Sequence, residues 1–205
     1  MTAETNAPLL RMVWPDEATE IDLEPLQGLW SVEQYLALTN QTNRLIEYTD
    51  GVIEVLPMPT DKHQAISLFL LLSLLAFIRP RGGIVLYAPL RLEVRPGKFR
   101  EPDLLLLIRA DDPRRQNEYW LGADLVIEIV SPDKPKRDTE EKPVDYAEAG
   151  IPEYWIVNPM TDTITVLVLQ EDIYVELGVF GRGQQVISKL LDGFSVQVDE
   201  VLDAK

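Results

Sequence analysis

The stretch "LVIEIVSP", residues 125–132, places one carboxylate in the middle of an apolar run. The aliphatic residues on both sides of Glu128 have the composition of a strand that is buried on both faces of a sheet. An ionised carboxylate that is taken out of water without a partner costs several kcal/mol. Glu128 therefore needs a partner, which is either a buried cation of the protein or a bound metal ion.

Further strand patterns lie on both sides of this stretch. Residues 84–94, 103–108 and 153–158 are short apolar runs that predict strands. The sequence from residue 163 onward alternates in short runs broken by glycine, which is typical of an antiparallel meander. Asp50 and Gly51 separate two alternating runs, and this pattern predicts a β-hairpin with a two-residue turn.

Three helices are predicted. A short helix begins at Ser31 with a capping-box pattern. Residues 61–79 predict a long helix that Asp61 can cap, and its nearly all-round apolar surface predicts burial against a sheet. A third helix runs from about Asp138 to Glu148 and is ended by Gly150. Because Pro143 is tolerated only in a first turn, an alternative start for this helix lies near Lys142.

This order of elements predicts an α/β or α+β fold with a mixed sheet. The chain has 205 residues, which suits one domain. We expect an N-terminal arm of irregular structure over residues 1–30 and a single domain over residues 31–205.

Composition excludes several classes of site. The chain has no cysteine and one histidine, so disulfides, thiolate zinc sites, thiol nucleophiles and multi-histidine metal sites are excluded. The N-terminus lacks the pattern of a signal peptide, and the apolar run over residues 65–78 is short for a membrane span. We therefore expect a cytoplasmic protein without a membrane partner.

The charge distribution is uneven. A net charge of −15 argues against a generic binder of polyanions. Residues 79–100, however, hold six basic residues against Glu93 alone, and these are candidates for contacts to a nucleic-acid backbone or members of a solvated face: Arg79, Arg81, Arg91, Arg95, Lys98 and Arg100.

Two carboxylates and a lysine suggest a chemistry. Asp103 opens one predicted strand, Glu128 lies inside another, and Lys142 follows fourteen residues after Glu128. If the two strands are neighbours, both carboxylates can face the same side, where they would repel each other unless a divalent cation binds between them. A nearby lysine can orient or deprotonate water or stabilise charge on phosphorus. Such a constellation suits metal-dependent hydrolysis of a phosphodiester.

Three segments carry a resemblance to a known family: "RLIEYTDGVIEVLPMPTDKHQAI" (44–66), "EPDLLLLI" (101–108) and "DLVIEIVSPDKPKRDTEEKPVDYAEAGIPEYWIVNP" (124–159). Over roughly residues 30–200 the chain resembles the Uma2 family, also called domain of unknown function 820. That family is widespread in cyanobacteria and is associated with restriction endonucleases of the PD-(D/E)xK superfamily. The resemblance implies a restriction-endonuclease-like central mixed sheet flanked by helices, with additional antiparallel strands.

The resemblance also implies roles for individual residues. Asp103, after Pro102, matches the first metal ligand, and Glu128 matches the second. The superfamily lysine would stand two residues after that acid, where this chain has Val130. Lys142 matches a downstream lysine of the family and would reach the same place from the adjacent helix. The implied cofactor is Mg²⁺ or Mn²⁺.

Glu54 is a third candidate metal ligand, and Glu47 and His63 are accessory candidates. A two-residue turn after Thr49 places Glu47 opposite Glu54, and superfamily enzymes often use an N-terminal glutamate as a metal ligand. We choose Glu54 over Glu47 by a narrow margin. His63 lies in the first turn of the long helix, where the helix dipole disfavours its charged form, and it could contact a phosphate or water near the metal.

Alternatives remain at each position and for the whole protein. Glu128 can be half of a buried ion pair with Lys142 or an arginine, Lys142 can be a solvated helix residue, and His63 can be structural. The main hypothesis is an endonuclease that cleaves double-stranded DNA, with a homodimer suited to the two strands. The alternatives are an inactive nuclease-fold module that binds nucleic acid or protein, and a hydrolase of smaller phosphate esters.

Overall fold

A computed structural model describes residues 11–14 and 19–205 of the chain, with side chains from Leu23 onward. Within that part the regular elements are, in order, β1 (Arg11–Trp14), β2 (Thr19–Asp22), α1 (Val32–Thr39), β3 (Ile46–Thr49), β4 (Val52–Val55), α2 (Asp61–Ile78), β5 (Ile84–Tyr87), β6 (Leu92–Arg95), β7 (Lys98–Arg100), β8 (Leu104–Leu107), β9 (Leu125–Ile129), α3 (Lys142–Glu148), β10 (Glu153–Asn158), β11 (Thr163–Gln170), β12 (Ile173–Gly181), β13 (Gln185–Ile187), β14 (Ser195–Gln197) and α4 (Val198–Leu202).

A six-stranded mixed sheet forms the centre of the fold, in the order β12-β11-β10-β9-β8-β5. The strands β9 and β10 pair in parallel, whereas the other neighbours pair antiparallel. Every residue of β8 and β9 is buried, which explains their nearly continuous apolar sequences. The predicted mixed α+β class with additional antiparallel strands is therefore confirmed.

A second sheet of four strands, in the order β4-β3-β7-β6, holds the hairpin that was predicted around Asp50 and Gly51. Both turn residues have positive φ, 47° and 90°, as a two-residue hairpin turn of this kind requires. Thr49 pairs with Val52, so the predicted register that sets Glu47 opposite Glu54 is confirmed.

The long helix α2 packs one face on the central sheet. Ile66, Leu70, Leu74 and Ile78 recur every fourth residue and belong to the buried core. The predicted burial against a sheet is therefore confirmed for this face, whereas the opposite face exposes Leu68 and Leu72 by 53 % and 55 %. The sheet offers a surface on one side of the helix only.

The first residue of α2 and its length also differ from expectation. Thr60, not Asp61, is the N-cap, because the Thr60 hydroxyl accepts a hydrogen bond from the backbone N–H of His63. With the 3₁₀ turn that follows, the helical stretch covers residues 61–81 and is long and apolar enough to cross a membrane by length and composition. The core helix of a soluble protein meets the same criterion.

The third predicted helix is split into two parts. Arg137–Glu141 forms a π-helical turn, and α3 begins at Lys142 with Pro143 in its first turn. The alternative start near Lys142 is thus the observed start of the α-helical part. Gly150, at φ 67°, follows the end of α3.

The N-terminal region is partly described. The predicted arm over residues 1–30 includes residues 1–10 and 15–18, which lie outside the described residues. Between and after them β1 and β2 pair antiparallel, so the expectation of irregular structure is wrong for those eight residues. The backbone N–H of Gly28 and that of Trp30 both donate to Gly51 O of the hairpin turn. The boundary between an arm and a domain at residue 31 stays a prediction.

Candidate functional site

A cavity of about 230 Å³ lies at the end of β9, beside the first turn of α2 and the π-helical turn. Nine of the residues that line it carry ionisable side chains: Lys62, His63, Glu101, Asp103, Glu128, Asp133, Arg137, Asp138 and Lys142. Four of these nine, His63, Asp103, Glu128 and Lys142, were predicted as site residues from the sequence. The cavity is therefore the candidate functional site.

The sheet brings Asp103 and Glu128 together. The strands β8 and β9 are antiparallel neighbours with Leu104 opposite Ile127, and extending this register by one residue places Asp103 opposite Glu128. Residues that are directly opposite point to the same face of a sheet. Asp103 Oδ2 also accepts a hydrogen bond of 2.7 Å from the backbone N–H of Ile129, which fixes its carboxylate beside the end of β9.

Lys142 is the cation that meets Glu128. Lys142 is 2 % exposed, and its Nζ lies 2.7 Å from Glu128 Oε1 and 3.1 Å from Asp138 Oδ1. Tyr146, one turn further along α3, donates a short hydrogen bond to the same Glu128 oxygen. Lys142 is thus not a solvated helix residue. It comes from the helix, while Val130, where a strand lysine was expected, packs in the apolar core.

Burial and neighbouring charges set the protonation of this cluster. Burial alone would lower the pKa of Lys142, but Glu128, Glu47 and Asp138 together raise it above its usual value. Lys142 therefore stays a cation and cannot take a proton from water. Burial raises the pKa of Glu128, and the charge of Lys142 opposes this shift. Burial and the charge of Glu47 raise the pKa of Glu101 to about 8.

His63 lies against Asp103. Its Nε2 is 3.1 Å from Asp103 Oδ2, and its Nδ1 is buried without a hydrogen-bond partner in the described part of the chain. Burial alone would lower the pKa of His63, but the hydrogen bond and charge of Asp103 outweigh burial and raise it. Any effect of the helix dipole, which disfavours the charged form of this histidine, is therefore outweighed by the contact with Asp103.

The structure separates the two glutamates of the hairpin. Glu47 is 1 % exposed and lies behind the cavity wall, with its Oε1 3.5 Å from Lys142 Nζ. Glu54 does not line the cavity, and its carboxylate forms a surface ion pair of 2.5 Å with Lys134. The geometry thus groups Glu47, rather than Glu54, with Lys142 and Glu128. Repulsion across the hairpin is relieved because each glutamate has its own lysine.

Several residues of the cluster were missed as functional candidates: Glu101, Arg137, Asp138 and Tyr146. A signal for two of them is present in the sequence. Asp138 and Tyr146 are each four residues from Lys142, a spacing that places side chains on one helix face. Nothing in the local sequence distinguishes Glu101 or Arg137 from a solvated charge.

Four members of the basic run over residues 79–100 have partners within the chain. Arg91 donates hydrogen bonds to Thr39 and Asn40, Arg95 pairs with Asp50 and Glu148, and Lys98 and Arg100 both pair with Asp145. Acids therefore compensate the charges of Arg95, Lys98 and Arg100, whereas the partners of Arg91 are neutral. Contact of this run with a nucleic-acid backbone stays a prediction.

The donor set fits a magnesium ion with few protein ligands. Both hydrogen bonds to Glu128 go to Oε1, and both to Asp103 go to Oδ2. The second oxygen of each carboxylate has no hydrogen-bond partner in the described part of the chain. Two carboxylate oxygens completed by waters are a common way to hold Mg²⁺. Among the described residues no group of three or more His, Cys, Asp or Glu side chains is placed to hold a metal ion.

Comparison with known proteins agrees with the fold. A family model described as "Uma2: Putative restriction endonuclease" matches residues 32–199. A crystal structure described as a "putative nuclease belonging to DUF820", from Anabaena variabilis ATCC 29413, superposes with a TM-score of 0.67 and 21 % identity. The match covers 82 % of this chain and 97 % of that chain, which shows a shared fold. A search of curated proteins finds no match.

Proposed function

The chain belongs to the Uma2 family, and from this premise we propose that it is a Mg²⁺-dependent endonuclease that hydrolyses phosphodiester bonds of double-stranded DNA in the cytoplasm. The observation that carries the proposal is the meeting of Asp103, Glu128 and Lys142 in one cavity. Asp103 directly precedes β8, Glu128 lies in β9 and Lys142 begins α3. The Nζ atom of Lys142 lies 2.7 Å from Glu128 Oε1.

Asp103 and Glu128 would hold the metal through their second oxygens, and the family association with restriction endonucleases makes a divalent cation the expected cofactor. The ion would polarise a phosphoryl oxygen and lower the pKa of a bound water. Mn²⁺ prefers similar oxygen ligands and can replace Mg²⁺ in a binding assay.

The remaining residues act through position and charge. Lys142 remains protonated, so it would hold the attacking water or stabilise the negative charge that develops on phosphorus, rather than act as a base. Tyr146 and Lys142 together fix the Glu128 carboxylate, and His63 fixes that of Asp103. The site would therefore be rigid before a substrate enters.

The proposal is tested by metal binding and DNA cleavage on the same variants. Calorimetry with Mn²⁺ should show one binding site in the wild type. The Asp103→Asn and Glu128→Gln variants should each bind Mn²⁺ about tenfold more weakly, or weaker still. Glu54→Gln is the matched control, because Glu54 lies outside the cavity. Nicking of supercoiled plasmid with Mg²⁺ should follow the same order. Absence of Mn²⁺ binding by the wild type would contradict the proposal.

A second candidate function is a nuclease-fold binding or interaction module without cleavage. It is favoured by the observation that Lys142 already neutralises Glu128, and by the net charge of −15. Mn²⁺ binding without cleavage of any nucleic acid would support this candidate. Turnover of a chromogenic phosphodiester without DNA cleavage would instead indicate a smaller substrate. We also propose a homodimer on DNA, which light scattering of the protein–duplex complex would test.

A further inference from the structure

Arg137 lies in the wall of the cavity with unused hydrogen-bond donors. It is 8 % exposed, and its Nε and Nη1 are buried without a hydrogen-bond partner in the described part of the chain. The nearest carboxylate oxygen, Asp138 Oδ1, lies 3.6 Å from Nε, beyond hydrogen-bond distance. That oxygen itself has no hydrogen-bond partner among the described residues, although Lys142 lies near it.

Other arginines of the chain are satisfied even where they are more exposed. Arg114, whose side chain is 36 % exposed, donates to both oxygens of Asp112 and to Asp124. Arg95 donates to both oxygens of Asp50. A buried guanidinium without such bonds forfeits the hydrogen bonds it would make in water, and this cost calls for a compensating partner.

The position of Arg137 indicates what that partner is. Arg137 is the first residue of the π-helical turn, and Lys142 directly follows the last residue of that turn. The backbone N–H of Lys142 donates a hydrogen bond to the backbone oxygen of Arg137. Both line the cavity that contains Asp103 and Glu128. The cavity, about 230 Å³, is smaller than the roughly 300–1,000 Å³ of pockets that enclose whole small molecules, so it suits part of a polymer.

We propose that Arg137 binds the non-bridging oxygens of a phosphodiester that enters this cavity. The planar guanidinium matches a phosphate through two parallel N–H···O bonds, and its Nε and Nη1 are donors that no residue in the described part of the chain uses. The identification of this phosphodiester as part of DNA rests on the function proposed above, whereas the binding of a phosphate group by Arg137 does not.

The surrounding acids set the conditions for binding. The charges of Glu47, Asp138, Glu128 and Glu54 act on the guanidinium and would repel a free anion, so phosphate should bind more tightly when a divalent cation is present. The same acids keep Arg137 charged. Arg137 thus recognises the phosphate, while Lys142 and the carboxylates organise the reacting groups.

The first test uses the wild-type protein and inorganic phosphate. In NMR spectra of arginine Nε–H groups, the Arg137 signal, identified by its absence in Arg137→Lys, should shift and saturate as phosphate is added with Mg²⁺. The Arg109 signal serves as an internal reference, because Arg109 is exposed and paired with Asp111. If the chemical shift of the Arg137 Nε–H signal does not change as phosphate is added, the proposal is overturned.

The second test measures duplex affinity by fluorescence anisotropy with Ca²⁺ in place of Mg²⁺. Arg137→Gln should weaken duplex binding about ten- to one hundredfold. Arg137→Lys should weaken it less, because lysine keeps the positive charge but lacks the paired N–H donors of the planar guanidinium. Arg109→Gln is the matched control and should change affinity by no more than about twofold. Equal effects of Arg137→Gln and Arg109→Gln would overturn the proposal.

The two tests separate this inference from the proposed function. If the wild type binds no DNA but phosphate shifts the Arg137 signal, the phosphate site stands and the DNA endonuclease fails. If the wild type cleaves DNA while the Arg137 variants behave like the control, the inference fails and the endonuclease stands. Should Arg137→Gln not fold, Arg137→Lys and the wild-type titration carry the decision.

Discussion

Individual buried charges in this protein are balanced by partners that are distant in sequence. Lys142 is close to three acids at once, Glu47, Asp138 and Glu128, which come from β3, the π-helical turn and β9. Removing one partner of a buried ion pair costs much more stability than removing one partner of an exposed ion pair. The reason is that the remaining buried charge is left uncompensated and without water. The cluster is therefore sensitive to single substitutions, whether or not a metal binds.

Lys142→Met should destabilise the fold by roughly 3–5 kcal/mol, since Glu128, Asp138 and Glu47 lose their shared cation. The measurement is the free energy of unfolding in urea, with the slope m checked for constancy. Lys136→Met is the control, because the Lys136 side chain is 78 % exposed and its ion pair with Glu140 is on the surface. Equal losses in the two variants would show that Lys142 makes no special contribution.

Glu101 gives a prediction about pH. Burial raises the pKa of Glu101 to about 8 from an ordinary value near 4.5. Between pH 4.5 and pH 8, Glu101 keeps its proton in the folded state but releases it in the unfolded state. The contribution of Glu101 to the free energy of unfolding therefore falls as the pH rises through this range.

Glu101→Gln, which resembles the protonated acid, should match the wild type near pH 4.5 and exceed its stability by a few kcal/mol near pH 8. Urea unfolding at both pH values checks this difference, and Glu141→Gln on the surface serves as the control. A stability difference that does not change with pH would contradict the raised pKa.

At the level of elements, α2 shows how an apolar sequence is divided by its surroundings. Its first turn is fixed by the Thr60 cap and brings His63 to Asp103. Its core face lies on the central sheet, while Leu68 and Leu72 remain exposed. The helix therefore has two roles, since one face stabilises the sheet and one end completes the cavity.

Leu70→Ala should destabilise the protein by roughly 2–5 kcal/mol, because Leu70 is fully buried and its removal leaves a cavity. Leu72→Ala, half a turn away and 55 % exposed, should change stability by no more than about 0.5 kcal/mol. Thermal or urea unfolding of the pair measures the contrast. Comparable losses would mean that the outer face of α2 is covered in solution, and light scattering would then reveal association.

At the level of the whole molecule, one carboxylate joins the C-terminal segment to the central sheet. Glu153, at the start of β10, is fully buried. Its two oxygens accept hydrogen bonds from Trp155 Nε1, the Ser188 hydroxyl and the backbone N–H groups of Lys189 and Leu190. These bonds hold the connection between β13 and β14 against the sheet.

Glu153→Gln should lower stability by roughly 2–4 kcal/mol, because an amide nitrogen cannot accept the two hydrogen bonds that one carboxylate oxygen receives. Hydrogen exchange should accelerate over residues 184–197 more than in β9. Glu176→Gln, on the exposed surface of β12, is the control. Uniform acceleration over all strands would indicate global destabilisation instead of local release of this segment.

The sequence alone determined the elements whose causes are local. Alternation around Asp50 and Gly51 determined the hairpin and its register, and the apolar runs identified most strands of the mixed sheet. The run over residues 84–94, predicted as one strand, instead forms β5 in the central sheet and β6 in the four-stranded sheet. Asp103 and Glu128 were identified because a charge inside or at the start of a buried strand is costly and needs a partner. These features depend on short-range sterics and on the periodicity of apolar residues, so they can be predicted from the sequence.

The tertiary structure decided which charges meet. Lys142 reaches Glu128 across fourteen residues, Lys134 reaches Glu54 across eighty, and the basic residues of β6 and β7 are used by other acids of the chain. The exposed face of α2 and the unpaired donors of Arg137 likewise appear only once the elements are packed. Strand order and helix placement fix such distances, and they result from the burial of the whole core rather than from any local pattern.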